Sequence, residues 1–475
     1  MSFTTQNRRG FLQTAGLAAG GLMGPRSTQA AQGDRPNVLF IAVDDLNDWM
    51  GCLGGHPQSV TPHFNDLAMR GVLFEKAYSA APVCNPSRAS LMTGHRPWTT
   101  GVYNNEPYFR DNPKFRDVKT IPQHFADHGY STHGGGKIFH SPVGDKADQV
   151  SFQNNYFPKC GTPKPKKTMQ HGVVWPSEYQ RAGLWDWGPL DVSEEECQDW
   201  QLTDAAGSIL NRDHDAPFFL ACGIFRPHLP WFAPQKYFDK YPLENIILPR
   251  TITDDLADLP PEGVRMAGGN KHAAILKANA WPNAVQGYLA ATSFADACLG
   301  NLLHQLDNSP YRDNTVVVLW GDHGWSLGEK EHWSKFTMWE ESCRNPMMFT
   351  APGVTPVHGR CSRPVSLIDI YPTLCDLCNV PHRDGLEGRS ILPLLEQPGR
   401  EWEYPAISTR LFNNHTVRDE RWRYIRYNSG AEELYDHAND EMEWNNLAEQ
   451  AQYRPVMDRL RQWLPKENAP DLNKS

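Results

Sequence analysis

An α/β protein is predicted, a mixed sheet flanked by helices with a smaller antiparallel subdomain at the C-terminus. Three observations predict it. The runs at 37–43, 217–224 and 315–320 are apolar nearly end to end, as strands buried on both faces are. Stretches with a helical period at 62–70, 285–306 and 367–378 separate or follow them, as layers covering a sheet would. From about Pro405 the period drops to two, as in Trp422-Arg423-Tyr424-Ile425-Arg426-Tyr427 and Glu433-Leu434-Tyr435-Asp436, which reads as a small antiparallel sheet closed by a helix near 453–464. The expected organisation is an export segment at 1–30, a catalytic domain at 34–400 and an α+β subdomain at 401–475.

In chain order, Arg8-Arg9 precede Phe11-Leu12, a weakly apolar stretch from Thr14 to Met23, and small residues at Ala30-Ala31. That pattern predicts a twin-arginine export signal, hence the twin-arginine export machinery as a partner and a periplasmic or secreted bacterial location. Removing the segment deletes three arginines and takes the formal charge from −9 to −12. Such an acidic chain is a poor nucleic-acid ligand. No apolar run reaches the roughly 18 residues that span a bilayer, so no stable membrane insertion is expected. Ten cysteines in an exported chain allow disulfides, and Cys375-x-x-Cys378 is expected to be core or a local bridge.

The first strand ends in Asp44-Asp45, and the third ends in Gly321-Asp322-His323-Gly324. In open α/β sheets functional groups gather at the carboxyl ends of strands. Carboxylates delivered there from two strands crowd unless a cation joins them, and oxygen donors favour Ca²⁺, with Mg²⁺ as the alternative. Between the strands lies Pro82-Val83-Cys84-Asn85-Pro86-Ser87-Arg88-Ala89-Ser90-Leu91-Met92-Thr93-Gly94. Pro86 fits a first helical position, so Cys84 should stand at a helix N-terminus, where backbone N–H groups attract anions. Arg88, one turn on, can hold two oxygens of an oxyanion. Further on, Gly134-Gly135-Gly136 permits a backbone path close to a ligand and is followed by Lys137 and His140. Residues 141–187 show little periodicity and are expected to form a rim. Arg226-Pro227-His228-Leu229-Pro230-Trp231 places a stiffly held histidine after a core strand. Of the basic residues at 330–335, Lys330 and His332 are expected to be solvated.

The Cys84-x-Pro86-Ser87-Arg88 pattern followed by Leu91-Met92-Thr93-Gly94 resembles the type I sulfatase signature. Arg226–Trp231 and Tyr241–Ile246 resemble iduronate-2-sulfatase-like members. The resemblance implies an alkaline phosphatase-like fold, and a formylglycine made from Cys84 by a formylglycine-generating enzyme. It implies a divalent metal, usually calcium, held by Asp44, Asp45, Asp322, His323 and the residue at 84. It also implies sulfate contacts from Lys137 and Lys335, a proton donor at His228 and a base at His140. The substrate class would be sulfated sugars or polysaccharides, uronate 2-sulfates among them. The lysine that meets the uronate carboxylate in the iduronate enzyme has no counterpart, with Arg410 or Arg418 as replacements. Two other functions fit the same residues: a phosphodiesterase or phosphonate hydrolase of the same superfamily, and a non-catalytic sulfated-glycan binder in which Cys84 stays a thiol.

Overall fold

The computed structural model describes residues 35–473 except 142–146, 157–162, 166, 170 and 180–183. The predicted export signal at 1–30 lies outside the described residues, as does much of the rim segment. No helix among the described residues is long and apolar enough to cross a membrane.

Strand Asn37–Val43 is the centre of a nine-stranded sheet, with Phe218–Ile224 on one side and Thr315–Gly321 on the other, both parallel to it. Ser131–Gly136 and then Asn154–Tyr156 extend the sheet past Phe218–Ile224. On the far side Arg344–Thr350 pairs antiparallel with both Thr315–Gly321 and Val72–Tyr78, which makes the sheet mixed. Every residue of the central strand is buried, because alternate side chains enter two different cores. Leu39, Ile41 and Val43 pack on the face covered by helices Trp281–Asp307 and Gln198–Leu210. Val38, Phe40 and Ala42 pack on the face covered by Cys84–Thr93, Ile121–Asp127 and Ile370–Leu377. A strand with no wet face has no polar alternation, which is why its run reads as continuous in the sequence.

One local expectation is revised. Cys84 itself is the first helical residue, after Val83 in extended conformation, and Pro86 is the third. The helix Pro62–Arg70 is not capped by the Thr61 side chain. Thr61 Oγ1 accepts from Gly51 N at 2.9 Å, while the His63 and Phe64 amides donate to Asp296 on the neighbouring long helix. A buried carboxylate from a distant helix thus caps this helix in place of the adjacent threonine.

The glycines of Ser131–Gly136 also serve packing. A Cβ at Gly134 or Gly135 would meet the rings of Phe152 and Tyr156 at 2.5 and 2.3 Å, so two of the three glycines make room for aromatics rather than for a ligand. Gly136 differs. It has φ +71, a Cβ there would lie 2.2 Å from Gly223 O, and this close approach lets Lys137 N donate to that carbonyl at 2.9 Å.

The C-terminal strands Ala406–Thr409, His415–Arg418, Trp422–Arg426 and Glu432–Asp436 form an antiparallel sheet in that order. Helix Arg454–Arg461 closes it, with Met457 and Leu460 against Val417, Tyr424 and Leu434. Thr409 N donates to Ala80 O at 2.9 Å, two residues before the Cys84 stretch begins. Lys330 and His332 are buried rather than solvated. Lys330 pairs with Asp255 at 2.7 Å, and the His332 ring lies between the carbonyls of Ala267 and Lys335. Cys375 and Cys378 are buried free thiols, so the local bridge does not form.

Candidate active site

The carboxyl ends of the parallel strands meet over the start of helix Cys84–Thr93. Asp44 and Asp45 follow the central strand, Asp322 and His323 follow Thr315–Gly321, Lys137 follows Ser131–Gly136, and His228 follows Phe218–Ile224. Lys335 comes from the loop after Trp333–Ser334.

Cys84 Sγ lies 3.2 Å from His323 Nε2, 3.0 Å from Lys335 Nζ, 3.9 Å from Lys137 Nζ and 4.0 Å from Asp45 Oδ1. Lys335 Nζ also donates to Asp45 Oδ1 at 2.5 Å, and Lys137 donates to Asp44 Oδ2. Burial raises the Cys84 thiol, but Lys137 and Lys335 outweigh it and bring it down to about 7. Burial lowers His323, yet Asp322 and the sulfur outweigh that and raise it to about 9. Burial pushes the Asp45 carboxyl up to about 7 despite Lys335 beside it.

Asp45 adopts φ 58, a left-handed conformation that aspartate tolerates better than most residues. Its N–H donates to Asp322 Oδ1 at 3.1 Å and its carbonyl accepts from the Tyr288 hydroxyl at 2.8 Å. Those two bonds hold the strained residue and aim its carboxylate at the cysteine. Asp45 Oδ2 is buried and lacks a hydrogen-bond partner. An orphaned carboxylate oxygen among three carboxylates and an imidazole fits a bound cation, and ligand atoms of Asp45, Cys84, Asp322 and His323 all lie within 4.8 Å of one another. Asp44, Asp45 and His228 form a second overlapping group of the same kind.

Arg88 differs from its expected role. Nε donates to Asp322 Oδ2 at 2.9 Å, Nη2 to Asp44 Oδ1 at 3.0 Å, and Nη1 to the carbonyls of Lys137 and Ile138, with the side chain fully buried. Its fork is spent on locking two carboxylates and the Lys137 backbone. Burial raises the Asp322 carboxyl but Arg88 outweighs it, holding Asp322 well below the ordinary range.

His228 and His140 are the more open members of the set. Burial and then Lys137 keep the His228 imidazole well below its ordinary value and bring His140 down to about 3, so both are neutral in the resting site. His228 Nδ1 faces Leu229 O at 2.5 Å, which assigns its proton to that nitrogen, and Nε2 stands 3.7 Å from Asp45 Oδ2. His140 Nδ1 is buried without a partner. The loop around His228 is fixed by Arg226, whose Nε donates to Phe232 O at 2.9 Å, and by Asp199, which accepts from the Phe225 and Arg226 amides.

All ten predicted site residues lie on this one edge of the sheet, while Arg226, Asp199 and Tyr288 were not singled out. No spacing could have marked them. Tyr288 lies mid-helix on the buried face of Trp281–Asp307 and reads as core in any periodicity analysis.

The sheet order, flanking helices and small C-terminal sheet define an alkaline phosphatase-like α/β fold. At 21% identity and a TM-score of 0.71, a solved protein in complex with D-glucosamine-2-N,6-O-disulfate superposes over 90% of this chain and 96% of that one. A phosphonate monoester hydrolase of Agrobacterium radiobacter does so at 22% identity and TM-score 0.72, over 90% and 94%. The profile described as Sulfatase matches residues 36–380, and one described as N-sulphoglucosamine sulphohydrolase, C-terminal, matches 328–469. A sulfatase of Formosa agariphila is 37% identical over 92% of this chain and 87% of its own length. Human iduronate 2-sulfatase is 30% identical over 87% and 80%. The chain belongs to the sulfatase family, and is a sulfuric ester hydrolase with iduronate-2-sulfatase-like relatives. The family generally uses a formylglycine and a divalent metal.

Proposed function

We propose that this enzyme removes sulfate from sulfated carbohydrates, using a formylglycine made from Cys84 and Ca²⁺, or Mg²⁺, held by Asp44, Asp45, Asp322 and His323. The observation that carries the reading is the position of Cys84 Sγ, 3.0 Å from Lys335 Nζ and 3.2 Å from His323 Nε2 among buried carboxylates. A hydrated aldehyde at 84 would supply a hydroxyl nucleophile and a second hydroxyl whose deprotonation would release sulfate, and a cation held by these carboxylates and His323 would supply Lewis acidity.

The chain's own groups do the rest. Lys137 and Lys335 offer ammonium donors to the sulfate oxygens, and Arg88 keeps Asp44 and Asp322 in register. Neutral His140 accepts the proton whose loss frees sulfate. His228, neutral at rest, gains its proton as the anionic ester adds negative charge beside it, and gives that proton to the departing sugar oxygen.

Arg410 is the candidate for reading a second anion on the substrate. Its Nε donates to Phe336 O and its Nη1 to Asn104 Oδ1, each at 3.1 Å, and no carboxylate pairs with it among the described residues. Arg418, the other candidate, is spent on Glu340 at 3.4 Å. The iduronate and disulfated-glucosamine relatives support a sugar bearing a second anionic group. Export by the twin-arginine route and modification by a formylglycine-generating enzyme belong to the same reading.

Mass spectrometry of the peptide containing residue 84, from a host with the modifying enzyme, tests it together with assays on sulfated disaccharides and phosphate monoesters. The expected result is an aldehyde at 84 and sulfate release that exceeds phosphate release. A thiol at 84 in fully active protein would overturn it.

A further inference from the structure

Residue 84 has two chemical forms, and they present different donors to the same cation. In the thiol form the cluster is one sulfur, one imidazole nitrogen and two carboxylate oxygens, from Cys84, His323, Asp45 and Asp322. Sulfur and nitrogen are 3.2 Å apart, and His323 Nε2 is 3.4 Å from both Asp45 Oδ1 and Asp322 Oδ2. Cys84 Sγ and Asp45 Oδ1 are 4.0 Å apart. A tetrahedral zinc with bonds of about 2.0–2.3 Å separates its donors by about 3.3–3.6 Å, close to the three spacings made by His323 Nε2, while the sulfur and Asp45 Oδ1 would have to draw together. His323 Nδ1 faces Gly324 O at 2.9 Å, which places a proton on that nitrogen, and Nε2 faces the cluster, where Asp322 and the sulfur hold a second proton that a bound cation has to displace. Asp45 Oδ2, the other oxygen of that carboxylate, is buried without a hydrogen-bond partner.

Thiolate and imidazole select zinc-like cations, while carboxylate and hydroxyl oxygens select calcium and magnesium. Oxidising Cys84 replaces the single soft donor by oxygen. We propose that the unmodified chain is a zinc-binding form, with Cys84, His323, Asp45 and Asp322 as tetrahedral ligands, and that conversion of Cys84 inverts the site's preference to calcium. On binding, the thiol proton and the His323 Nε2 proton leave to solvent as the sulfur–zinc and nitrogen–zinc bonds form, with no change of oxidation state. Lys335 opposes this step, because its ammonium already bridges Cys84 Sγ and Asp45 Oδ1 and must withdraw. The inference rests on reading this cluster as the cation site of the sulfatase, but makes a claim about the chain before it is active.

The test uses the full chain produced without the modifying enzyme, its thiol at 84 verified by mass, beside the aldehyde form. Each is equilibrated with equal Zn²⁺ and Ca²⁺, and bound metal is quantified after gel filtration. Co²⁺ is added separately as a spectroscopic substitute. The thiol chain is expected to prefer zinc at least about 10-fold and to show a thiolate-to-cobalt charge-transfer band, and the aldehyde form to prefer calcium. Cys84→Ser is expected to lose both band and preference, His323→Asn to weaken zinc at least about 10-fold, and Lys335→Met to strengthen it. Calcium bound by the thiol chain as tightly as zinc, a missing cobalt band, or a zinc preference retained in Cys84→Ser would each overturn the proposal. An aldehyde form that hydrolyses no sulfate ester would instead sink the proposed function, and the zinc measurements on the thiol chain would still decide this inference.

Discussion

At the scale of single residues, the proposed mechanism separates groups that would meet substrate from groups that hold other groups. His228 is open, neutral at rest, and stands beside Asp45. As the proton donor it matters only where the leaving oxygen is basic. His228→Ala is therefore expected to slow sugar sulfates by about 10²–10⁴-fold while slowing an activated aryl sulfate far less, a contrast read from kcat/KM for the two ester types. Equal losses on both would assign His228 to binding. Arg410 is held by one carbonyl and one amide oxygen, and no carboxylate forms an ion pair with it among the described residues. Arg410→Gln should raise KM about 10- to 100-fold for substrates with a second anionic group and leave neutral aryl sulfates unchanged, with Arg410→Lys restoring part of the loss. Motif spacing singled out the charged residues and the cysteine that the fold brings together. It could not show that Arg88 is saturated by Asp44, Asp322 and two backbone carbonyls, because that depends on where three other elements end.

At the scale of elements, precision at the site comes from close approaches between strand ends. Gly136 and Gly223 let the Lys137 backbone lie against the neighbouring strand, where a Cβ at Gly223 would sit 2.4 Å from Lys137 C. Gly223→Ala should cost about 1–3 kcal/mol in denaturant unfolding and lower kcat by displacing Lys137. The long helix Trp281–Asp307 reaches the site through one hydroxyl, which bonds Asp45 O and accepts from Asn47 N at 2.9 Å. Tyr288→Phe removes both bonds, leaving a buried carbonyl and amide unsatisfied at a cost of about 1–3 kcal/mol. With Asp45 freed from its left-handed conformation, calcium affinity should fall with stability, measurable by titration calorimetry. Unchanged affinity would show that Asp322 alone suffices to hold it. The strands and long helices were legible from periodicity. The Asp296 cap and the aromatic-facing glycines were not, since both answer to side chains far away in the chain.

For the whole molecule, stability as pH rises depends on buried carboxyls that keep their protons in the folded chain. Asp45, Asp296 and Glu329 are each raised by burial to about 7. A carboxyl raised above its unfolded value near 3.8–4.5 keeps its proton in the folded chain. Its contribution is thus complete below that value and is lost as pH rises towards 7. Metal-free protein should accordingly lose Tm between about pH 4 and 7, and calcium should recover the Asp45 part, so that chelation lowers Tm more at pH 7.5 than at pH 5. A chelator effect independent of pH would count against cation binding at Asp45. Sequence alone determined the sheet's buried strands, the paired aspartates at their ends, and the cysteine, lysines and histidines of the site, because these follow from local pattern and motif spacing. Only the tertiary structure decided which charges are spent on one another, which aspartate oxygen is left over, and which glycines serve packing. Those outcomes depend on distances between segments up to roughly 290 residues apart, as between Asp45 and Lys335, and no local signal records such distances.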